Sequence, residues 1–264
     1  MSVAPHNKKT DTAITKLERS LPYEPSIFKK ISVCKGMTSR EYWQTHDDTF
    51  MQKANLTRFN PTILDYDIKQ ENDFFVEQLV HAPKNSKMLD LGAYKGDTCI
   101  PVAEKLKKAG RNDIEVIAFE PNKKYCDHIN KIASDKSLNL SCVQSALSDK
   151  TQTLHMKKDE GSGTMYDTMF TGEAVSSQPL DNFKISNVSL MKIDVEGHED
   201  QVLRGAQETL ATTHKLYVEM WNDEHYNKRH THHGEGSHNQ RILEQIPHCE
   251  ALQKIEKNVF FECN

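Results

Sequence analysis

Short runs of apolar residues alternate along the chain with longer stretches whose apolar positions recur every three to four residues. The run VSLMKID, residues 188–194, is apolar and β-branched and predicts a central strand. Met191, Ile193 and Val195 fall on one face of it, and Leu190, Lys192, Asp194 and Glu196 on the other. Gly197 breaks the run. HEDQVLRGAQETL then places Val202, Leu203, Ala206 and Leu210 at helical spacing, so the unit reads strand, turn, helix. Upstream the same alternation recurs. A helix over DIKQENDFFVEQLVHA stops at Pro83, SKMLDLG is a strand, and GDTCIPVAEKLKKAG is a helix. DIEVIAFE is a second strand, with a helix over PNKKYCDHINKIASD and Pro121 at its start. LNLSCVQ, TQTLHMKK and KLYVEMW read as further strands, and CEALQKIE with NVFFEC as a closing antiparallel hairpin. This order predicts an α/β fold: a mostly parallel sheet with helices on both faces and an antiparallel C-terminal hairpin.

Composition narrows the picture. At 264 residues the chain suits one large domain with an extension, and the pattern divides it into an N-terminal cap over 1–66 and a domain over 67–264. The cap is polar over its first 20 residues and then carries Tyr23, Phe28, Tyr42, Trp43, Phe50 and Phe59. A net charge of −4 argues against nucleic acid as a partner. No apolar run approaches the ~20 residues of a membrane span, and no signal-peptide pattern opens the chain. With neither in evidence the expected location is cytoplasmic, and the six cysteines, scattered without a CxxC pair, predict free thiols in a reducing compartment.

Candidate chemistry gathers where strands end. In an open α/β sheet, ligands bind beyond the carboxyl ends of the strands. DLGAYKGD, residues 90–97, joins the first strand to its helix with Gly92 and Gly96 in the turn. Tyr94 and Asp97 stand where the dinucleotide fingerprint needs glycines, so pyrophosphate binding is not indicated. The second strand ends on Glu120, an acid able to accept from two ribose hydroxyls. Asp194 and Glu196 end the strand at 188–194, and His198 follows with a titration range suited to a general base. Glu199 and Asp200, in a first helical turn, are accounted for by the helix dipole. Lys192 requires an acid beside it on the same face. The stretch from His225 to His238 is rich in histidine but fits no standard zinc spacing, and reads as a solvated loop or substrate lid.

With those pieces placed, MLDLGAYKGD, IAFEPN, QSALSD, GSGT, PLDNF and above all MKIDVEGHEDQVLRGA resemble the FkbM-type family of class I S-adenosylmethionine-dependent methyltransferases. The likeness covers roughly residues 85–263 and leaves the first ~65 outside it. It implies a Rossmann-like sheet, S-adenosylmethionine as cofactor, and O-methyl transfer to a hydroxyl of a sugar, glycan or related small molecule. Carried onto this sequence, it implies that Asp90, Gly92, Ala93, Tyr94 and Gly96 shape the methionine end of the cofactor site. Glu120 then takes the ribose, Ser145 and Ala146 lie against the adenine, and Asp194 closes the site. Asp194, Glu196 and His198 are the candidates for catalysis. A divalent metal such as magnesium at Asp194 and Glu219 is the alternative way to acidify the acceptor hydroxyl. Two other classes compete: a catalytically silent binding module, and a nicotinamide-dependent dehydrogenase, against which the glycine pattern argues.

Overall fold

The described residues of the computed structural model are 68–156, 165–166, 173–220, 238–255 and 258–264. Helix α1 (Ile68–Val80) leads into β1 (Lys87–Leu91), α2 (Cys99–Lys108), β2 (Glu115–Phe119), α3 (Lys123–Asp135) and β3 (Leu140–Val143). After an excursion through β4 (Ala146–Leu147), β5 (Gln152–Met156), β6 (Met165–Tyr166) and β7 (Glu173–Gln178), the chain returns as β8 (Val188–Ile193). Then come α4 (Glu199–Arg204), α5 (Gln207–Leu210), β9 (Lys215–Glu219), α6 (His238–Gln245), β10 (Cys249–Ile255) and β11 (Asn258–Cys263).

Seven strands form one sheet in the order β10-β11-β9-β8-β1-β2-β3. Its five strands from β9 to β3 pair in parallel, and β11 joins β9 antiparallel through the β10–β11 hairpin. The faces of β8 sort as their alternation predicts. Leu190 packs with α1, α2 and α3 on one side. Met191, Ile193 and Val195 pack with α4, α5 and α6 on the other. On the first side the ring of Phe75 meets Tyr217 edge-on, with centroids 4.8 Å apart. The carboxy-terminal carbonyls of α1 are taken up by Arg111, whose guanidinium donates to Leu79 O, Val80 O and Ala82 O.

Several sequence expectations change. The helix after Gly197 is two short ones, with Gly205 capping the first where a Cβ would approach the Ser148 carbonyl oxygen to 2.1 Å. α3 starts at Lys123, two residues after Pro121, and is capped by Asn122, which accepts from the N–H groups of Lys124 and Tyr125. TQTLHMKK is a strand, but it belongs to a second, four-stranded sheet ordered β4-β7-β5-β6, with its own small core of Ala146, Leu154, Met156 and Val175. The thiols are not all free. Cys126 is bonded to Cys142 and Cys249 to Cys263, while Cys99 is free and buried. Both bonds join residues distant in sequence and adjacent only in the fold, which a search for CxxC spacing does not detect. The expectation of free thiols is thereby corrected for these four cysteines. Among the described residues no helix is long and apolar enough to cross a membrane. The N-terminal cap, the GSGT loop and the histidine-rich stretch up to residue 237 lie outside the described residues.

Candidate active site

Register alone brings the candidate residues together. Leu91 pairs with Phe119 and Ile193, and Ile193 with Val218, in parallel ladders. One position further on, at the carboxyl edge, stand Glu120, Gly92, Asp194 and Glu219 on four adjacent strands. Gly92 donates to the Phe119 carbonyl, as does Ala93, and Asp194 donates to Leu91 O. Gly92 adopts φ +87°, and a Cβ on it would meet the Asp194 carbonyl oxygen at 1.9 Å. The glycine is thus required by the close approach of β1 and β8 as well as by the turn. Gly96 is also left-handed, and a Cβ there would press on Ile100 and Ile129.

Tyr94 takes φ 48° in the same turn and donates its N–H to Glu120 Oε2 at 2.8 Å. Asn122 donates to Glu120 Oε1, also at 2.8 Å. The carboxylate is thereby fixed at the strand end, yet burial outweighs both donors and pushes its pKa up to about 7. The Tyr94 ring lies edge-on to Tyr125, with centroids 4.9 Å apart, and the Lys95 ammonium sits 4.7 Å above the Tyr94 ring.

Beneath the edge lies a buried charge cluster. The Lys192 ammonium is 3.1 Å from Asp194 and 3.7 Å from Asp90. Burial pulls its pKa down, but Asp194, Asp90 and Glu71 together reverse that, and the net direction is up. Asp90 is fully enclosed, and burial holds its pKa above the usual carboxylate range against the pull of Lys192. Lys192 therefore has the same-face acid its position demands. Glu71, on α1, completes the cluster and accepts from the Tyr217 hydroxyl at 3.2 Å. Burial raises its pKa, opposed by Lys192. Sequence reading missed Glu71, although its spacing to Phe74 and Phe75 puts an acid on the apolar stripe of α1.

The turn after β8 is built by Glu199. Its Oε1 accepts from Val195 N at 3.2 Å and Gly197 N at 3.0 Å, and its Oε2 lies 2.9 Å from His238 Nε2 on α6. Glu196 (φ 56°) and Gly197 (φ 95°) supply consecutive left-handed positions that reverse the chain. Asp200 is equally buried and is bound by Arg204 and Arg241. The helix-dipole account of these two acids is thus too small: they tie the turn to α6. His238, expected at the end of a loop, is a buried helical residue. His198 is turned under the turn rather than towards the rim. Its Nε2 is 3.0 Å from Ser148 Oγ, and burial lowers its pKa. Ser145 is buried with its hydroxyl on the Ala146 carbonyl at 2.7 Å, and Ala146 is buried in β4.

The two proposed metal ligands do not suit magnesium, which keeps several of its waters. Asp194 already faces the Lys192 ammonium, and Glu219 is fully enclosed.

A family model described as the methyltransferase FkbM domain matches residues 90–250. The chain belongs to the FkbM methyltransferase family. The matched range opens on Asp90 and holds Gly92, Glu120, Asp194 and Glu219. Among solved structures, the FkbM methyltransferase of Methylobacillus flagellatus KT is 14% identical with a TM-score of 0.48, over 85% of this chain and 57% of that one. This FkbM-family chain thus spans little more than half the length of that protein. The SAH-bound Podospora anserina methyltransferase PaMTH1 is 11% identical with a TM-score of 0.42, over 100% and 99% of the two chains. A TehB-like SAM-dependent methyltransferase from Corynebacterium glutamicum is 11% identical with a TM-score of 0.43, over 83% and 100%. Comparison with curated protein sequences finds no match.

Proposed function

We propose that this FkbM-family chain is an S-adenosylmethionine-dependent O-methyltransferase whose acceptor is a hydroxyl of a sugar, glycan or related small molecule. The observation that carries the reading is the alignment of Glu120, Gly92 and Asp194 on neighbouring strand ends. The donor set fits a nucleoside joined to an amino acid. Glu120, fixed by two backbone N–H groups, has capacity left to accept from ribose hydroxyls. Asp90, Gly92 and Gly96 would hold the methionine end, with Ser145 and Ala146 beside the adenine. The cofactor supplies a methyl group activated by its sulfonium.

What remains for the protein is to hold the acceptor oxygen in line with that methyl group, and positioning of this kind accounts for much of the rate in such displacements. Asp194 is the residue for the task. Its side chain is one-third exposed, whereas Asp90 beside it is fully enclosed. The Lys192 ammonium, 3.1 Å away, fixes the carboxylate, which is left able to accept a hydrogen bond from an acceptor hydroxyl. Asp194 would orient the acceptor hydroxyl and receive its proton as the new oxygen–carbon bond replaces the sulfur–carbon bond of the sulfonium, whose sulfur leaves as a neutral thioether. Glu196, at the start of the turn, lines the acceptor side. His198 acts through the turn it supports, with its ring on Ser148.

The test is calorimetric titration with S-adenosylhomocysteine, followed by methyl transfer to a panel of sugars and glycans. Micromolar binding is expected for the wild type. Asp194→Asn is expected to keep that affinity within about threefold and to lose transfer by ~100-fold or more, the scale of positioned proton-transfer groups. Folding should survive, because Lys192 retains Asp90. Absence of binding by folded wild-type protein would sink the proposal.

A further inference from the structure

The edge of the sheet opposite the candidate active site carries a different chemistry. Glu262 of β11 pairs with Lys215 at the start of β9, so the Cys263 end of the hairpin lies at the amino edge of the parallel strands. There Cys249 and Cys263 face each other across the hairpin. His248, in the turn before β10, brings an imidazole nitrogen to the same place. The ligand atoms of His248, Cys249 and Cys263 all lie within 4.8 Å of one another. Among the described residues this is the group of His, Cys, Asp or Glu side chains close enough to hold an ion. Asn264 N donates to His248 O and Cys263 N to His214 O, which pins the three to one corner. A cavity lined by His214, His248, Cys263 and Asn264 opens beside them.

We infer that His248, Cys249 and Cys263 form a redox-gated zinc site, closed when the two cysteines are disulfide-bonded and able to bind one zinc ion when they are reduced. Two thiolates and an imidazole are the soft and borderline donors that select zinc over magnesium or calcium. Zinc bonds of about 2.3 Å to sulfur and about 2.0–2.1 Å to nitrogen put tetrahedral ligand atoms roughly 3.3–3.8 Å apart. The three side chains reach that spacing by rotation once the sulfurs are free to separate. The cavity leaves the fourth position open to water.

Closed and open states interconvert in two balanced steps. An external phosphine or dithiol reductant donates two electrons to the Cys249–Cys263 bond and is itself oxidised. The sulfur–sulfur bond breaks, and the two thiol protons come from the dithiol, which closes to its own disulfide, or from the water whose oxygen the phosphine takes up as its oxide. Zinc binding releases those two protons to solvent as two zinc–sulfur bonds and one zinc–nitrogen bond form.

Cobalt(II), followed by zinc, titrated into the full chain after phosphine reduction and anaerobic desalting, tests this. The reduced protein should bind one equivalent of cobalt with a thiolate charge-transfer band, and zinc should displace it. Oxidised protein should show no such band. Cys263→Ser and His248→Ala should each weaken binding by more than the ~10–100-fold lost when only an outer partner of a ligand is removed. Serine at both Cys126 and Cys142 should leave the band in place, and histidine binding elsewhere in the chain would lack a thiolate band altogether. If Cys263→Ser does not fold, zinc should still protect Cys249 and Cys263 of the reduced wild type from alkylation, read by peptide mass. A reduced, folded wild type without the thiolate band, a band that persists in Cys263→Ser, or thiols that zinc leaves unprotected would each overturn the inference.

Discussion

A carboxylate stripped of its water and held by two backbone N–H donors titrates near neutrality at Glu120, and that makes its role measurable. Its pKa rises from 4.5 to about 7, with burial as the leading cause. Taken alone, this group lowers stability as pH climbs from 4.5 through 7, because the folded state holds the proton more tightly than the unfolded chain. Ribose hydroxyls donate to the charged form, so they reverse the preference. Affinity for S-adenosylhomocysteine should therefore rise as pH increases through 7, by up to ~10-fold per pH unit on the acid side, with a proton released on binding. Calorimetry at pH 6 and pH 8 in buffers of different ionisation enthalpy reads both effects, and Glu120→Gln should abolish both. A pH-independent affinity in the wild type would remove Glu120 from the ribose. His198 has the opposite sign: burial lowers its pKa, so its contribution to stability is intact above the unfolded value of 6.5 and is lost progressively as pH falls from there towards the lower folded value.

At the scale of elements, the segment from β8 to α4 shows what periodicity reveals and what it hides. The alternation of β8 placed Met191 and Ile193 against one helical layer and Lys192 against the other, and the fold follows it. Gly92, Glu120 and Asp194 were legible because strand ends in an α/β sheet converge whatever the intervening chain does. The hub role of Glu199 was not legible, since its partner His238 is 39 positions away on a helix the pattern did not reveal. The polar run EAVSSQ likewise hides β7, which turns only Val175 and Ser177 inward. Glu199 accepts from two turn N–H groups and holds His238 while fully enclosed. Glu199→Ala removes this carboxylate from all three and should cost ~3–5 kcal/mol, the scale of a broken buried pair. Glu199→Gln keeps an acceptor for the turn but sets an amide N–H against the His238 Nε2–H that donates to the wild-type carboxylate, so it should recover only part of that loss. Urea unfolding monitored by circular dichroism measures both. A loss below about 1 kcal/mol for Glu199→Ala would mean that water replaces the carboxylate without penalty.

At the scale of the molecule, a seven-stranded sheet must protect two edges, and here each edge carries a disulfide. At the β3 edge α3 shields the strand. Asn130 donates to Cys142 O at 3.0 Å and accepts from Cys142 N at 2.8 Å, as a neighbouring strand would. The Cys126–Cys142 bond, spanning 16 positions, fastens the same helix to the same strand. Its main effect is on the unfolded chain, which it shortens by one closed loop. Replacing both cysteines by serine should therefore cost ~2–4 kcal/mol and lower the melting midpoint by roughly 5–15 °C. The native edge should persist, because the two Asn130 bonds hold β3 in place and Glu120 N still donates to Val143 O. Affinity for S-adenosylhomocysteine should accordingly stay within about threefold while stability falls. Thermal unfolding and calorimetry on the same double variant separate the two quantities. An unchanged midpoint would show that the wild-type thiols are not bonded in solution. A midpoint and an affinity that collapse together would show that the staple holds the adenine side of the site, not merely the edge of the sheet.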